Sequence, residues 1–547
     1  MSLRPGDERQ VPEETARVAR AIFPESNVYL KLRDELGILY QDSDFTALFS
    51  SRGQPAESPG RLALVTLMQF AEGLTDRQAA DAVRSRIDWK YALDLELTDA
   101  GFHYSVLSEF RGRVLAGGRE QQLLDQLLQR CKARGWIKER GRQRTDSTHV
   151  LAAVRTLNRL EVVGETLRAA LNALAAAAPA WLRAQVAADW YERYGERIEE
   201  SRLPESQAER AALALQTGQD GRQLLQAVYS PEAPSWLREL PAVQILRQVW
   251  LQNYYLEDTQ LQWREAGNIP SALLMIESPY DPEAHYSTKR QTTWKGYKVQ
   301  VTETCDEATP HLIVHVETTP APIPDVAMLE PIHAALGAKE LLPGEHLVDA
   351  GYPDADSLVS SAQRQIDLVG PVAVDTSWQK HQGQGFDVSS FSIDWPAQRV
   401  TCPQGHPSVG WSPSHNTFGV EIIHVRFDSQ DCRACPVRQQ CTRARSGPRT
   451  LKLMPQAQHE ALRAARQRQA TAEFKERYRL RAGIEGTLSQ GTRAFGLRKT
   501  RYVGLAKTHL QHVVTAAAID LVRVVAWLGG TKRATTRRSH FAALALT

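Results

Sequence analysis

Aspartate is a poor strand former, yet two β-prone runs of this chain carry one, and the distance between them constrains the fold more than any other feature. Arg144-Thr145-Asp146-Ser147-Thr148-His149-Val150 holds an acid in its middle. His346-Leu347-Val348-Asp349-Ala350-Gly351-Tyr352 ends an apolar run with another, 203 residues later. Between them, residues 156–270 are rich in Ala, Leu, Glu and Arg, with little strand signal. Leu157–Ala178 and Trp181–Glu200 have helical patterns, and Pro204, Pro231 and Pro234 mark breaks. A helical block between two strands of one sheet reads as an insertion projecting from it, a scaffold or dimer arm before a seat of chemistry.

Strand signal resumes beyond the block. Tyr297, Val299 and Val301 alternate with Lys298, Gln300 and Thr302, and Leu312–Val316 is a second β-prone run. Asp325–Leu336 suits a crossover helix despite Pro331, Asp356–Gln365 a further helix, and Ile366–Val374 another strand. The region before residue 140 reads as helical instead. Arg61–Glu72 is a helix-length apolar run stopped by Gly73, and Thr75-Asp76-Arg77-Gln78 has the form of a capping box. Helix, short turn with glycine, helix is a helix-turn-helix outline that would let Arg84, Arg86 and Lys90 face DNA; an ordinary helical hairpin has the same outline.

A third acid lies late in the chain. Tyr478, Arg481 and Glu485 are spaced three and four apart, which places them on one helical face. Thr471–Tyr502 holds eight Lys/Arg against three acids, and Gly483 and Gly486 flank the glutamate. Their missing Cβ atoms let a phosphate backbone or another chain segment come close. Alone, a glutamate one turn from an arginine is a surface ion pair of little energetic weight. With two aspartates it has a sharper reading: three carboxylates can hold two divalent ions about 3.5–4 Å apart, one activating an attacking oxygen and one stabilising the leaving oxygen of a phosphodiester. Mg²⁺ suits this because it takes oxygen ligands and keeps waters for exchange.

Residues 375–455 differ in composition. They hold Cys402, Cys432, Cys435 and Cys441, four of the six cysteines. Four thiolates make a tetrahedral structural zinc site, and Cys432-x2-Cys435 fits its knuckle. An iron–sulfur cluster uses the same ligands, His406, His415 or His424 could replace one cysteine, and a site without metal stays open. Cys131 and Cys305 stand apart and read as buried small hydrophobes.

Strand-Asp, strand-Asp-Ala-Gly-Tyr and Tyr-x2-Arg-x3-Glu, in that order, resemble the DDE transposases of the IS4/IS5 superfamily, in detail the IS1182 family. The likeness includes Asp281-Pro282-Glu283-Ala284-His285-Tyr286, Trp294-Lys295-Gly296-Tyr297-Lys298-Val299 and Arg501-Tyr502-x-Gly504-Leu505-Ala506-Lys507-Thr508. It covers residues 45–530 and implies an α/β chain: a ribonuclease-H-like mixed sheet core, a helical N-terminal domain, a helical insertion and a Cys-rich insertion. It implies Asp146, Asp349 and Glu485 as catalytic residues holding Mg²⁺ or Mn²⁺, with Tyr478, Arg481, Arg493, Arg498, Lys499 and Arg501 as DNA contacts. The family pattern has a lysine seven residues past the glutamate; this chain has Thr492 there and Arg493 next.

The resemblance further implies the transposase of a bacterial insertion sequence, an endonuclease that binds terminal inverted repeats as a homodimer and joins the element ends to target double-stranded DNA. A domesticated or inactive DNA-binding protein, and a nuclease without strand transfer, are the alternatives. The expected domains are 1–140 (helical, DNA-binding), 141–155 (first catalytic strand), 156–270 (helical insertion), 271–374 (catalytic core), 375–455 (Cys-rich insertion), 456–530 (C-terminal catalytic helices) and 531–547 (basic tail). A length of 547 residues allows several domains, and 42% hydrophobic with 24% charged residues is ordinary globular composition. Net charge of +3 is too small to argue for nucleic acid, so only local clustering counts. No apolar signal follows the polar start, and Val513–Leu528, interrupted by Asp520 and Arg523, reads as a buried helix and not a membrane span. A cytoplasmic, nucleoid-associated protein without membrane contact is expected.

Overall fold

A computed structural model describes residues 2–3, 9–381, 383, 385–417, 419–531, 541 and 544. The basic stretch 532–538 lies outside the described residues. The chain forms two compact units, one of residues 1–138, 146–323 and 485–547, the other of 139–145 and 324–484.

The first unit begins with helices between Glu13 and Ala133. Helix Pro59–Glu72 starts with Ser58 accepting from the Arg61 N–H and Pro59 in its first turn, and stops at Gly73 in the left-handed region (φ +69°). Thr75 and Gln78 then close a reciprocal capping box on helix Asp76–Ser85. The C-terminal helix Leu505–Leu528 packs on helices Pro59–Glu72 and Gln122–Ala133. Among the described residues it is the helix long and apolar enough to cross a membrane, but 78% of its apolar window is buried inside the protein.

Four strands belong wholly or partly to this unit: β1 (Arg142–Leu151), β2 (His285–Lys289), β3 (Thr292–Thr304) and β4 (Ile313–Pro320). β3 is antiparallel to β2 and β4 and neighbours β1. The C-terminal helix lies on β4. The alternation in β3 predicts one wet face, yet Lys298, Gln300 and Thr302 are buried along with Tyr297, Val299 and Val301. Lys298 escapes the cost of burial by donating to the Ile323 carbonyl at 2.6 Å.

Helices Arg159–Ala177, Gln207–Val228 and Pro241–Asn253 enclose a separate core that includes Leu167, Leu174, Leu224, Leu246 and Trp250. Trp181–Glu200 is two short helices, Pro179–Gln185 and Asp189–Tyr194, parted at the extended Val186. The second of them turns Trp190 and Tyr194 into that core. A hairpin, Tyr254–Glu257 with Gln260–Trp263, follows where strand signal was weak. Its turn has Asp258 and Thr259 at φ +44° and +72°, a conformation normally announced by Asn-Gly or Asp-Gly.

In the second unit Arg142–Thr145 of β1 pair in parallel with β5 (Glu345–Val348), which pairs in parallel with β6 (Asp367–Val369). Helix Leu329–Ala338 accommodates Pro331 because it falls in the first turn, where no N–H is needed. The cysteine-bearing segment has its own three-stranded antiparallel sheet, Ser408–His415, Glu421–Phe427 and Thr450–Leu453, over a core of Phe391, Val400, Val425, Phe427, Leu451 and Leu453. Parallel and antiparallel pairings together make the mixed α/β sheet of a ribonuclease-H-like core, with a helical N-terminal region.

Gly296 shows how tightly β1 and β3 are joined. It sits at φ +149°, and a Cβ there would collide with the Val150 carbonyl and lie 2.7 Å from the Ala152 nitrogen. We expect Gly296→Ala to destabilise the protein by at least the ~1–3 kcal/mol of a strained residue, read as a lower urea midpoint. An unchanged midpoint would show that the strands can separate freely.

Candidate functional site

Asp146 and Glu485 belong to the first unit and Asp349 to the second. Asp146 is buried in β1 (7% exposed), with the Ser147 N–H donating to its Oδ1 at 2.8 Å. Glu485 is exposed in the first turn of helix Gly483–Ala494. That helix is fixed from beneath, where Ile484 is fully buried and Thr487 Oγ1 donates to Glu303 Oε2 at 2.5 Å. The Arg523 guanidinium donates to Glu303 Oε2 (2.8 Å), Thr487 Oγ1 (2.6 Å), Gln490 Oε1 (3.0 Å) and the His311 carbonyl (2.9 Å). Glu303 has no solvent exposure, so this set of bonds is what permits its charge.

Asp349 follows β5 directly and is one-quarter exposed. The Gly351 N–H donates to its Oδ1 at 2.8 Å, and Arg481 lies 3.9 Å from its Oδ2. A Cβ on Gly351 would stand 3.1 Å from Asp349 Oδ1 and 3.4 Å from Asp325 Oδ2. Asp325 is thus a second acid beside this segment, and unlike Asp349 a buried one, where the sequence pattern suggests only a helix start. Its signal in the sequence was slight, an acid in an ordinary N-terminal turn.

Tyr478, Arg481 and Glu485 do not share one helix. Tyr478 is on helix Ala472–Arg479, stacked on Phe474 at 5.6 Å; Arg481 is in a 3₁₀ turn, Leu480–Ala482; Glu485 opens the next helix. The 3₁₀ turn changes the residues per turn, so the three-and-four spacing loses its meaning across it. Gly483 has a defined neighbour, since a Cβ there would collide with the Arg144 guanidinium, which donates to the Leu480 carbonyl at 2.6 Å. Gly486 faces open space.

The other basic candidates divide by what they already hold. Arg493, Arg498 and Lys499 are exposed, and Arg498 Nε donates to Thr148 Oγ1 at 2.8 Å. Arg501 donates to the Leu74 carbonyl at 3.0 Å and lies over the Phe70 ring, which ties it to the N-terminal helices. Thr492 bonds back to the Leu488 carbonyl of its own helix. In the N-terminal pair, Arg86 is engaged by Glu72 and Asp88, and Lys90 is buried against the carbonyls of Glu96 and Asp99. The expectation that Lys90 faces DNA therefore fails, whereas Arg86 is partly exposed and Arg84 largely so. Trp294 is buried with its Nε1 donating to the Tyr297 carbonyl at 3.0 Å.

Cys402, Cys432, Cys435 and Cys441 are free, half-buried and line one cavity of about 30 Å³. Burial pushes the Cys441 thiol up to about 11; Arg449 opposes the rise and the three other cysteines add to it. Among the described residues no group of three or more His, Cys, Asp or Glu side chains is arranged to hold a metal ion. The thiols share a cavity without being drawn into a coordination sphere. Cys131 and Cys305 are buried.

Residues 17–113 match the family model of a transposase domain (DUF772), and residues 401–525 match that of a transposase DDE domain. Glu485 and the four cysteines fall within the second match; Asp146 and Asp349 lie outside both. A comparison with curated proteins gives no match. The chain thus carries two regions that match transposase domain models, which indicates a transposase and is consistent with a DDE transposase of the IS1182-type architecture.

Two predictions follow from the buried groups. Arg523→Met strands the Glu303 charge and should cost about 3–5 kcal/mol in denaturant unfolding, with Glu303→Gln in the same chain recovering part of it. Additive losses would refute the coupling. Secondly, His346 hydrogen-bonds Thr145 (2.7 Å) and His333 (2.8 Å), and burial holds His333 down to about 4 and His346 well below its usual value. Groups depressed in the fold contribute stability above the unfolded value near ~6.5, lost as pH falls toward the folded one. His333→Gln should therefore show a shallower stability loss between pH 6.5 and 4 than the parent.

Proposed function

We propose that this protein is the transposase of a bacterial insertion sequence, which binds the terminal inverted repeats and performs metal-dependent DNA cleavage and strand transfer. The observation that carries the reading is Glu485, an exposed carboxylate in the first turn of a helix inside the matched DDE domain. Asp146, Asp349 and Glu485 are the metal-binding carboxylates in this reading. Mg²⁺ or Mn²⁺, when bound by them, would supply Lewis-acid stabilisation of the attacking and leaving oxygens. Arg493, Arg498 and Lys499 are exposed and suit phosphate contacts, with Tyr478 and Arg481 positioning the strand. Two element ends must be joined in one event, so the working form is a homodimer on double-stranded DNA, in the cytoplasm with the nucleoid.

We assign one structural Zn²⁺ to Cys402, Cys432, Cys435 and Cys441. The support is their donor chemistry and their common cavity.

The test is cleavage of a duplex carrying the inverted repeat, with Mg²⁺ or Mn²⁺. We expect nicking at the repeat end, reduced roughly 10³-fold by Asp349→Ala, the equivalent of several kcal/mol of transition-state stabilisation. Full cleavage by that variant would remove the assignment. Joined products in the same reaction support transposition; cleavage that never yields them makes the protein a nuclease.

A further inference from the structure

The strand pair β2–β3 runs on beyond the sheet that carries it. β3 pairs with β4 over Tyr297–Glu303 and with β2 over Thr292–Gly296. β1 stops at Leu151, and the Ala152 N–H donates to the Lys295 carbonyl at 3.1 Å, so Thr292–Trp294 extend past its end with β2 as their strand partner. The cations nearer the sheet are already engaged: Lys295 pairs with Glu277 at 2.5 Å, and Lys298 donates to the Ile323 carbonyl at 2.6 Å. Toward the tip the side chains turn to water. Tyr286 is 40% exposed, its hydroxyl accepting from Thr288 Oγ1 at 3.2 Å, and residues 288–293 are all exposed. No acid lies between Glu283 and Glu303. The last ladder pair is Lys289 with Thr292, which leaves Arg290 and Gln291 as a two-residue turn. Arg290 sits at φ +57°, a conformation that such turns give to glycine, asparagine or aspartate because other side chains are strained there. Its guanidinium has no hydrogen bond or ion pair with any described residue.

An exposed cation on an edge strand keeps other strands from pairing with it, but Arg290 lies past the last ladder pair and protects no edge. A strained position filled by a long cation that holds nothing inside the protein points to an anionic partner outside it. We propose that the hairpin His285–Gly296 is a DNA-contacting ribbon whose tip, through Arg290, binds a backbone phosphate of the duplex. The inference rests on the DNA-binding reading above and gives it a contact surface. A two-stranded ribbon is narrow enough to enter the major groove, and the planar guanidinium fork matches two phosphate oxygens. Thr288 and Thr293 are a cross-strand pair on the face of the ribbon that carries Tyr286, so their hydroxyls add donors beside the arginine. A phosphate contact carries no base information, and the ribbon therefore holds repeat and flanking DNA alike.

The experiment titrates the full chain into two fluorescent duplexes of equal length, one ending in the inverted repeat and one of scrambled sequence, between about 50 and about 200 mM salt. Divalent ions are left out so that no cleavage intervenes. Arg290→Gly suits the turn, so its urea midpoint should stay close to the parent's while its affinity falls on both duplexes by the same factor. Losing one phosphate contact lowers the salt slope by about 0.9, so across this range the parent's affinity should fall roughly threefold more than the variant's. Arg290→Asn, which also tolerates the conformation, should behave as Arg290→Gly does, and Arg290→Lys should keep most of the slope. Equal affinity and equal slope in Arg290→Gly and the parent would overturn the inference and leave the DNA-binding reading standing. A loss confined to the repeat duplex would overturn the phosphate contact in favour of base readout. A parent that binds neither duplex would bring down the DNA-binding reading and the inference with it.

Discussion

A carboxylate with no access to water, Glu303, is tolerable only because Arg523 reaches it, and much of the first unit is arranged around that contact. Each residue taken alone looks like a fault: an acid inside β3, and a cation inside the apolar helix Leu505–Leu528. Together they cancel, and the same guanidinium continues to Thr487 and Gln490 on the helix that carries Glu485. An exposed acid is thereby held by a buried one. Asp520, one turn before Arg523, is handled differently: it accepts from the Ile313 N–H at 2.9 Å where β4 begins, and burial pushes its carboxyl well above the usual carboxylate range.

β1 follows the same rule with polar residues along its length. Gln143 donates to the Leu341 carbonyl, Arg144 to that of Leu480, and Thr145 meets His346, while Thr148 accepts from Arg498. A strand composed this way is unstable by propensity, which is offset because most of its buried polar groups find partners, Gln143 Oε1 excepted. Its poor β character is a consequence of these partners, which come from distant parts of the chain. Conversely, Thr145 and Asp146 are adjacent in sequence but belong to different units, so this one strand serves two bodies.

What could be read from the sequence was what local chemistry determines. The cap at Thr75, the stop at Gly73, the strand ending before Asp349 and the buried helix near the C-terminus all depend on residues a few positions apart. The readings that failed depended on tertiary contacts. Lys298 and Gln300 look solvent-facing until both faces of β3 are covered. Lys90 looks like a DNA contact until the carbonyls of Glu96 and Asp99 take it. The face shared by Tyr478, Arg481 and Glu485 required an unbroken helix, and one 3₁₀ turn removed it. Gly483 was read correctly as a site of close approach, but its neighbour is Arg144, which no local pattern indicates.

The cysteines and the carboxylates show where spacing stops being evidence. Cys432 and Cys435 are three residues apart, so covalent geometry alone keeps their thiols near each other. Cys402 precedes them by thirty positions and reaches the same cavity only because the three-stranded sheet folds its segment back. Asp146, Asp349 and Glu485 are farther apart still, and what linked them in the sequence was their order in a family. For such residues the motif supplies the chemistry and the fold must supply the proximity, whereas for a Cys-x2-Cys pair the motif supplies both.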